Sequence, residues 1–251
     1  MSIFVGRGAS LVRVQNDFVS SVSHELRTPL TSIRLLMESL RDGRLDAVER
    51  EQVLSLLGRE TARLEALVDR VLELSRLQSS YVYKRERIDV GSLVEEAIAA
   101  FDALTLTNPT KIKHDLEAGL YVVGDRSTLV RALVNLLTNA WKYTGADKQI
   151  MIEARSVARW IDLIVRDNGA GIERSEQSAI FEQFNRGRAA ENSGQPGIGL
   201  GLSFVNAIVR GHRGRIELES RPGETVFRIR LRRRRERATE VVRLRTERAA
   251  S

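Results

Sequence analysis

His24 is followed at once by Glu25 and, four residues on, by Thr28, in the run Asp17-Phe18-Val19-Ser20-Ser21-Val22-Ser23-His24-Glu25-Leu26-Arg27-Thr28-Pro29-Leu30. An imidazole with a pKa of about 6.5 is largely neutral at pH 7, so one ring nitrogen has a free lone pair for attack. A neighbouring carboxylate can take or orient the other nitrogen's proton. Phe18, Val22, Leu26 and Ile33 recur at helical spacing and form one apolar stripe. On that helix His24 lies roughly 200° round from Val22, so it points away from the packed face, with Thr28 one turn further on the same side. Pro29 lacks an N–H and crowds the carbonyl of Glu25, which predicts a bend at this turn. A lone exposed histidine is more often an ordinary surface residue, and the residues downstream decide against that here.

Four clusters follow. Asn135 and Asn139, in Asn135-Leu136-Leu137-Thr138-Asn139-Ala140-Trp141-Lys142-Tyr143, project from one helix face. Amide oxygens are hard ligands suited to Mg²⁺ bridging substrate phosphates, and Lys142, one turn on, adds a cation that can reach a phosphate. Two polar residues at the rim of an amphipathic helix would look the same. In Asp167-Asn168-Gly169-Ala170-Gly171-Ile172 a carboxylate at a strand end can accept a hydrogen bond from an exocyclic amine, and Gly169 and Gly171 let a flat base approach; turns use the same residues. Phe181 and Phe184 open the polar segment Gly187 to Pro196 and read as anchors for a lid. Gly197-Ile198-Gly199-Leu200-Gly201-Leu202 stands just before a helix, where backbone N–H groups favour anions. Neither a Rossmann fingerprint nor a Walker loop is present, because no strand precedes these glycines and Gly-Lys-Ser/Thr is absent.

The elements that must position these groups fall into two sets. Leu11 to Leu40 reads as one long helix, Asp42-Gly43 as a turn, and Asp46 with Glu49 as a capping box opening a second helix. Val53, Leu57, Leu64, Leu67, Val71 and Leu74 alternate by threes and fours in a coiled-coil-like seam. Such a hairpin leaves one apolar flank wet, and pairing two copies into a four-helix bundle buries it. From Arg87 the periodicity changes. Strands are expected at 87–90, 111–116, 120–123, 149–156, 160–166, 215–220 and 225–231, and helices at 91–104, 125–143 and 200–210. The second domain is therefore α+β, a mixed sheet covered on one face by helices.

Composition is that of an ordinary soluble globular chain, with 42% hydrophobic and 29% charged residues in 251. The absence of cysteine excludes disulfides and thiolate metal sites. Residues 232–251 hold eight arginines and three glutamates, so +5 of the net +7 sits in a tail and a specific nucleic-acid partner is not expected. No apolar run approaches the roughly 20 residues of a membrane span. The expected location is cytoplasmic, for the whole protein or for the cytoplasmic part of an inner-membrane sensor whose sensor domain is missing from this chain.

Taken in order, these motifs resemble the catalytic core of a sensor histidine kinase of a two-component system. His24 to Leu30 is similar to that family's phosphoacceptor box. Asn135–Tyr143, Asp167–Gly171, Phe181–Phe184 and Gly197–Gly201 are similar to its asparagine, first glycine, phenylalanine and second glycine boxes. The resemblance implies a dimerisation and histidine phosphotransfer domain at 10–80, a linker at 81–86, an α/β-sandwich ATP-binding domain of the histidine kinase/Hsp90/gyrase type at 87–231, and an Arg-rich tail at 232–251. It implies a homodimer that uses ATP and Mg²⁺ to phosphorylate His24 and passes the phosphoryl group to an aspartate of a response-regulator receiver domain. Asn135 and Asn139 would hold Mg²⁺. Lys142 with Gly197, Gly199, Leu200 and Gly201 would hold the phosphates, and Asp167, Gly169, Gly171 and Tyr143 the base. A hydroxyl at Thr28 implies phosphatase activity toward the regulator. The turn Gly223-Glu224-Thr225-Val226 is shorter than the family's, and His114 and His212 read as structural or surface residues. Rival readings are another ATPase of the same nucleotide fold, a silent dimeric scaffold, and a nucleic-acid binder acting through the tail.

Overall fold

The computed structural model describes residues 22–23, 25–79, 81–183, 185 and 199–234. These form two compact units, one reaching to Ser79 and including Gly199 and Leu200, the other beginning at Tyr81.

In the first unit, helix α1 (residues 25–41) runs through Pro29 without interruption. The chain turns at Asp42-Gly43, where Gly43 takes a φ of +66° that a side chain would resist. Helix α2 (Ala47–Ser79) opens on a reciprocal cap. The Glu49 N–H donates to Asp46 Oδ1 at 2.8 Å and the Asp46 N–H to Glu49 Oε2 at 3.0 Å. Its seam is the expected one: Val53, Leu57, Leu64 and Val71 are half-buried, and Leu67 and Leu74 fully buried. Leu54, Val68 and Leu72 lie beside that seam and are exposed.

The second unit holds strands β1 (Glu86–Asp89), β2 (Ile112–Leu116), β3 (Tyr121–Gly124), β4 (Ile150–Val157), β5 (Trp160–Asp167), β6 (Arg215–Arg221) and β7 (Glu224–Arg232). Helices α3 (Val90–Leu104), α4 (Arg126–Tyr143) and α5 (Gly201–Gly211) lie between them. β1 and β3 form an antiparallel pair; the main sheet has the order β2-β4-β5-β7-β6, parallel only between β2 and β4. Alternation sends Ile150, Ile152, Ala154, Ile161, Leu163, Val165, Phe227, Ile229 and Leu231 into the core. There α4 lies over β4 and β5, flanked by α3 and α5. The other face carries charge: Arg230 donates to Asp162 through Nε at 2.8 Å and a terminal nitrogen at 3.0 Å.

Two boundaries differ from expectation. The stretch 81–86 belongs to the second unit rather than standing apart as a linker. β7 continues into Arg232, and the Arg233 and Arg234 N–H groups donate to the carbonyls of Arg159 and Tyr121 at 2.9 Å each. The first arginines of the tail are thus tied to the sheet by backbone bonds, which do not depend on side-chain polarity. Residues 235–251 lie outside the described residues.

Candidate nucleotide-binding site

Asp167 ends the inward-facing row Ile161, Leu163, Val165 of β5, so alternation alone carries its carboxyl to the core side. It is 6% exposed. Burial pushes its pKa up to about 6, against the pull of the Gly169 N–H that donates to Oδ1 at 2.9 Å. The second oxygen is the one open to a donor from a ligand. Opposite Asp167 in the ladder stands Thr225 of β7, also buried, with its hydroxyl 2.9 Å from that of Ser220. The motif reading passed over Thr225 as part of a shortened turn. The signal that could have found it is the inward row of β7, Leu231, Ile229, Phe227, which ends on a hydroxyl beside a buried carboxyl.

A Cβ on Gly169 would sit 2.7 Å from both the Tyr143 carbonyl and Asp167 Oδ1, and one on Gly171, whose φ is +81°, 2.5 Å from the Arg221 carbonyl. At both positions the chain's own backbone comes too close for a side chain. The loop is pinned there by Gly223 N–H donating to the Gly169 carbonyl at 3.0 Å, so the short β6–β7 turn buttresses it. The half-buried Tyr143, at the end of α4, stands against the same loop, its carbonyl accepting from the Ala170 N–H at 3.4 Å.

Helix α4 is capped at its start by Asp125 and at its end by Lys148, whose ammonium donates to the carbonyls of Trp141, Thr144 and Gly145 at 2.7, 2.8 and 3.1 Å. Its core face is Leu129, Leu133, Leu136, Leu137 and Ala140. At the edge of that face Asn135 and Asn139 are half-buried. The Asn135 amide nitrogen donates to the Arg131 carbonyl at 2.9 Å, which fixes the side chain and leaves its oxygen toward α5. A Cβ on Gly201 would meet that oxygen at 3.4 Å and the Asn139 amide at 3.8 Å. The start of α5 therefore faces both asparagines. Two amide oxygens suit a cation that keeps most of its ligands from water and phosphate, and the N-terminus of α5 beside them favours the phosphate rather than the cation. Among the described residues no cluster of three carboxylates or histidines competes for such an ion. Lys142 is half-buried and lines an open groove with Asn108, Lys111, Trp141 and Lys148.

Gly199, with a φ of +71°, and Leu200, buried, belong to the first compact unit. On α1, Glu25 is half-buried and Thr28 exposed. His24, Phe184 and Gly197 lie outside the described residues. Phe181, in a short 3-10 turn at Ala179–Phe181, meets Phe227 edge to face at 6.4 Å; the segment it was expected to anchor lies outside the described residues.

Residues 14–80 match the His Kinase A (phospho-acceptor) domain family, and residues 124–235 the family described as histidine kinase-, DNA gyrase B-, and HSP90-like ATPase. The chain is 33% identical over 216 residues to the sensor-like histidine kinase SenX3 of Mycolicibacterium smegmatis, covering 86% of this chain and 56% of that protein. It is 39% identical over 225 residues to the sensor protein SphS of Synechococcus elongatus, covering 84% and 53%. It therefore spans about half the length of these curated relatives. The solved structure of Acinetobacter baumannii histidine kinase AdeS is 26% identical and superposes with a TM-score of 0.65, over 84% of this chain and 98% of that one. A phospho-acceptor helix pair followed by an ATPase sheet, with the sequence kinship to match, makes this chain a member of the sensor histidine kinase family.

Proposed function

We propose that the chain is a protein histidine kinase core that phosphorylates His24 from ATP and relays the phosphoryl group to an aspartate of a response-regulator receiver domain. The observation that carries this is the convergence, in one ATPase-type unit, of the buried Asp167 with Gly169 and of Asn135, Asn139 and Gly201, in a chain that also bears a phospho-acceptor box. The free oxygen of Asp167 accepts from the adenine amine. Gly171 and the Tyr143 carbonyl shape the wall beside the base. Asn135 and Asn139 would hold Mg²⁺, which supplies charge neutralisation at the phosphates, and Lys142, Gly197, Gly199, Leu200 and Gly201 take the phosphate oxygens.

A neutral His24 nitrogen attacks the γ-phosphorus, and the bond from that phosphorus to the β–γ bridging oxygen breaks, releasing ADP. Glu25 receives or orients the proton of the other ring nitrogen. The phosphoryl group then passes to the regulator's aspartate, and Thr28 orients the water that hydrolyses that aspartyl phosphate, releasing inorganic phosphate and freeing the carboxylate. The exposed apolar side chains Leu30, Leu35, Met37, Leu54, Val68 and Leu72 support a homodimeric four-helix bundle, because a monomer would leave them in water. No described helix is long and apolar enough to cross a membrane; the cytoplasm, where ATP and receiver domains meet, is the proposed location.

The test is incubation with γ-labelled ATP and Mg²⁺. Acid-labile, base-stable label on the intact chain is expected, with none on His24→Gln while nucleotide binding persists. Undiminished labelling of that variant would sink the reading. Thr28→Ala is expected to lose phosphatase activity and keep autophosphorylation; equal loss of both would refute that division.

A further inference from the structure

Asp125 is 1% exposed and joins three elements. Its Oδ1 caps α4, accepting from the Thr128 N–H at 3.2 Å and the Ser127 hydroxyl at 2.7 Å. Its Oδ2 accepts from the Tyr81 hydroxyl at 3.0 Å and the Lys84 N–H at 3.1 Å, both in the stretch that follows α2. Its own N–H donates to His212 Nε2 at 2.9 Å, and His212 Nδ1 donates to the Ile208 carbonyl of α5 at 2.8 Å. His212 is thus a neutral structural histidine, and burial holds its pKa below the ordinary value.

The surroundings are shaped to fit. The Tyr83 ring meets Tyr81 and His212 edge to face at 4.7 and 4.8 Å. Its hydroxyl donates to the Ala207 carbonyl at 3.4 Å. A Cβ on Gly211 would fall 2.2 Å from the Tyr83 ring, and one on Gly124 2.5 Å from the His212 ring, so both glycines are required by the packing. The same carboxylate that starts the helix bearing Asn135 and Asn139 therefore holds the chain arriving from α2, which ends at Ser79, two residues before Tyr81.

We propose that Asp125 is a positioning residue for autophosphorylation: by clamping Tyr81 and Lys84 it sets the length of the tether on which the nucleotide-bearing unit reaches His24. The inference rests on the function proposed above. It separates delivery from binding, since Asp125 lies at the opposite end of α4 from Tyr143 and touches none of the residues assigned to the base. A free Tyr81–Lys84 segment would lengthen the tether and multiply its conformations, which lowers the fraction of productive encounters.

Asp125→Asn tests this selectively. Asparagine caps a helix about as well as aspartate, but its single acceptor oxygen, once committed to α4, leaves an amide N–H₂ facing the Tyr81 and Lys84 donors. Tyr81→Phe removes one of the same bonds without touching the cap. Autophosphorylation at saturating ATP is expected to fall on the order of tenfold for Asp125→Asn and less for Tyr81→Phe. KM for ATP and the affinity for a fluorescent ATP analogue should not change. An undiminished rate in both variants overturns the inference, and so does a loss of ATP affinity in step with the rate, which would make the cluster merely structural. Should Asp125→Asn not fold, Tyr81→Phe decides by the same split. Absence of label on the unsubstituted chain overturns the function and the inference together, whereas a labelled parent with equally fast variants overturns the inference alone.

Discussion

Asp167 shows how one side chain can be costly to the fold and useful to the site. It stays protonated in the folded protein when the unfolded chain has already ionised. Its contribution to stability therefore falls as pH rises from its ordinary 3.8 to about 6, by about 3 kcal/mol in all. Replacing it with asparagine removes that pH dependence, so thermal melts of Asp167→Asn should lose less stability over this window than the parent. The same change should weaken ATP binding about tenfold or more, because with its oxygen on the Gly169 N–H the amide presents an N–H₂ donor to the adenine amine. A calorimetric titration showing unchanged affinity would remove Asp167 from the base-binding role. For the parent, affinity should drop below pH about 6 as the acceptor gains its proton.

Among the elements, the start of α2 and both ends of α4 are made by side chains that satisfy otherwise orphaned backbone groups. The Asp46–Glu49 box is reciprocal. Losing either partner should cost about 1 kcal/mol, and the double variant less than the sum. Asp46→Ala, Glu49→Ala and the pair, compared by melting temperature, would show additive losses only if the two bonds were independent. These elements were legible because capping residues and apolar periodicity are local. One limit of such reading is the stretch 81–86, which belongs to the second unit rather than standing apart as a linker. Another is the end of β7, where Arg232 joins a strand that its charge would not suggest.

For the molecule as a whole, the exposed stripe on the helix pair is the surface proposed to pair two copies. Val68 and Leu72 are 41% and 51% exposed and lie one turn apart on α2. Val68→Glu with Leu72→Glu should convert a dimer to monomer in sedimentation while ATP binding by the second unit persists. A dimer that survives both charges would place the interface elsewhere. The charged face of the main sheet, where Asp162 holds Arg230, contrasts with that stripe: its charges find partners within the sheet itself.

By itself the sequence determined which elements form, their order, and which residue types could handle a histidine, a nucleotide and a metal, because spacing, capping and periodicity act over a few residues. Only the tertiary structure decided what those residues touch. It opposed Thr225 to Asp167, filled the space beside Gly169 and Gly171 with backbone, and turned the start of α5 toward Asn135 and Asn139. It also showed that Asp125, His212 and Tyr81, separated by up to 131 positions in the chain, make one cluster. Contacts of that kind depend on how strands register and helices pack, and no local pattern encodes them.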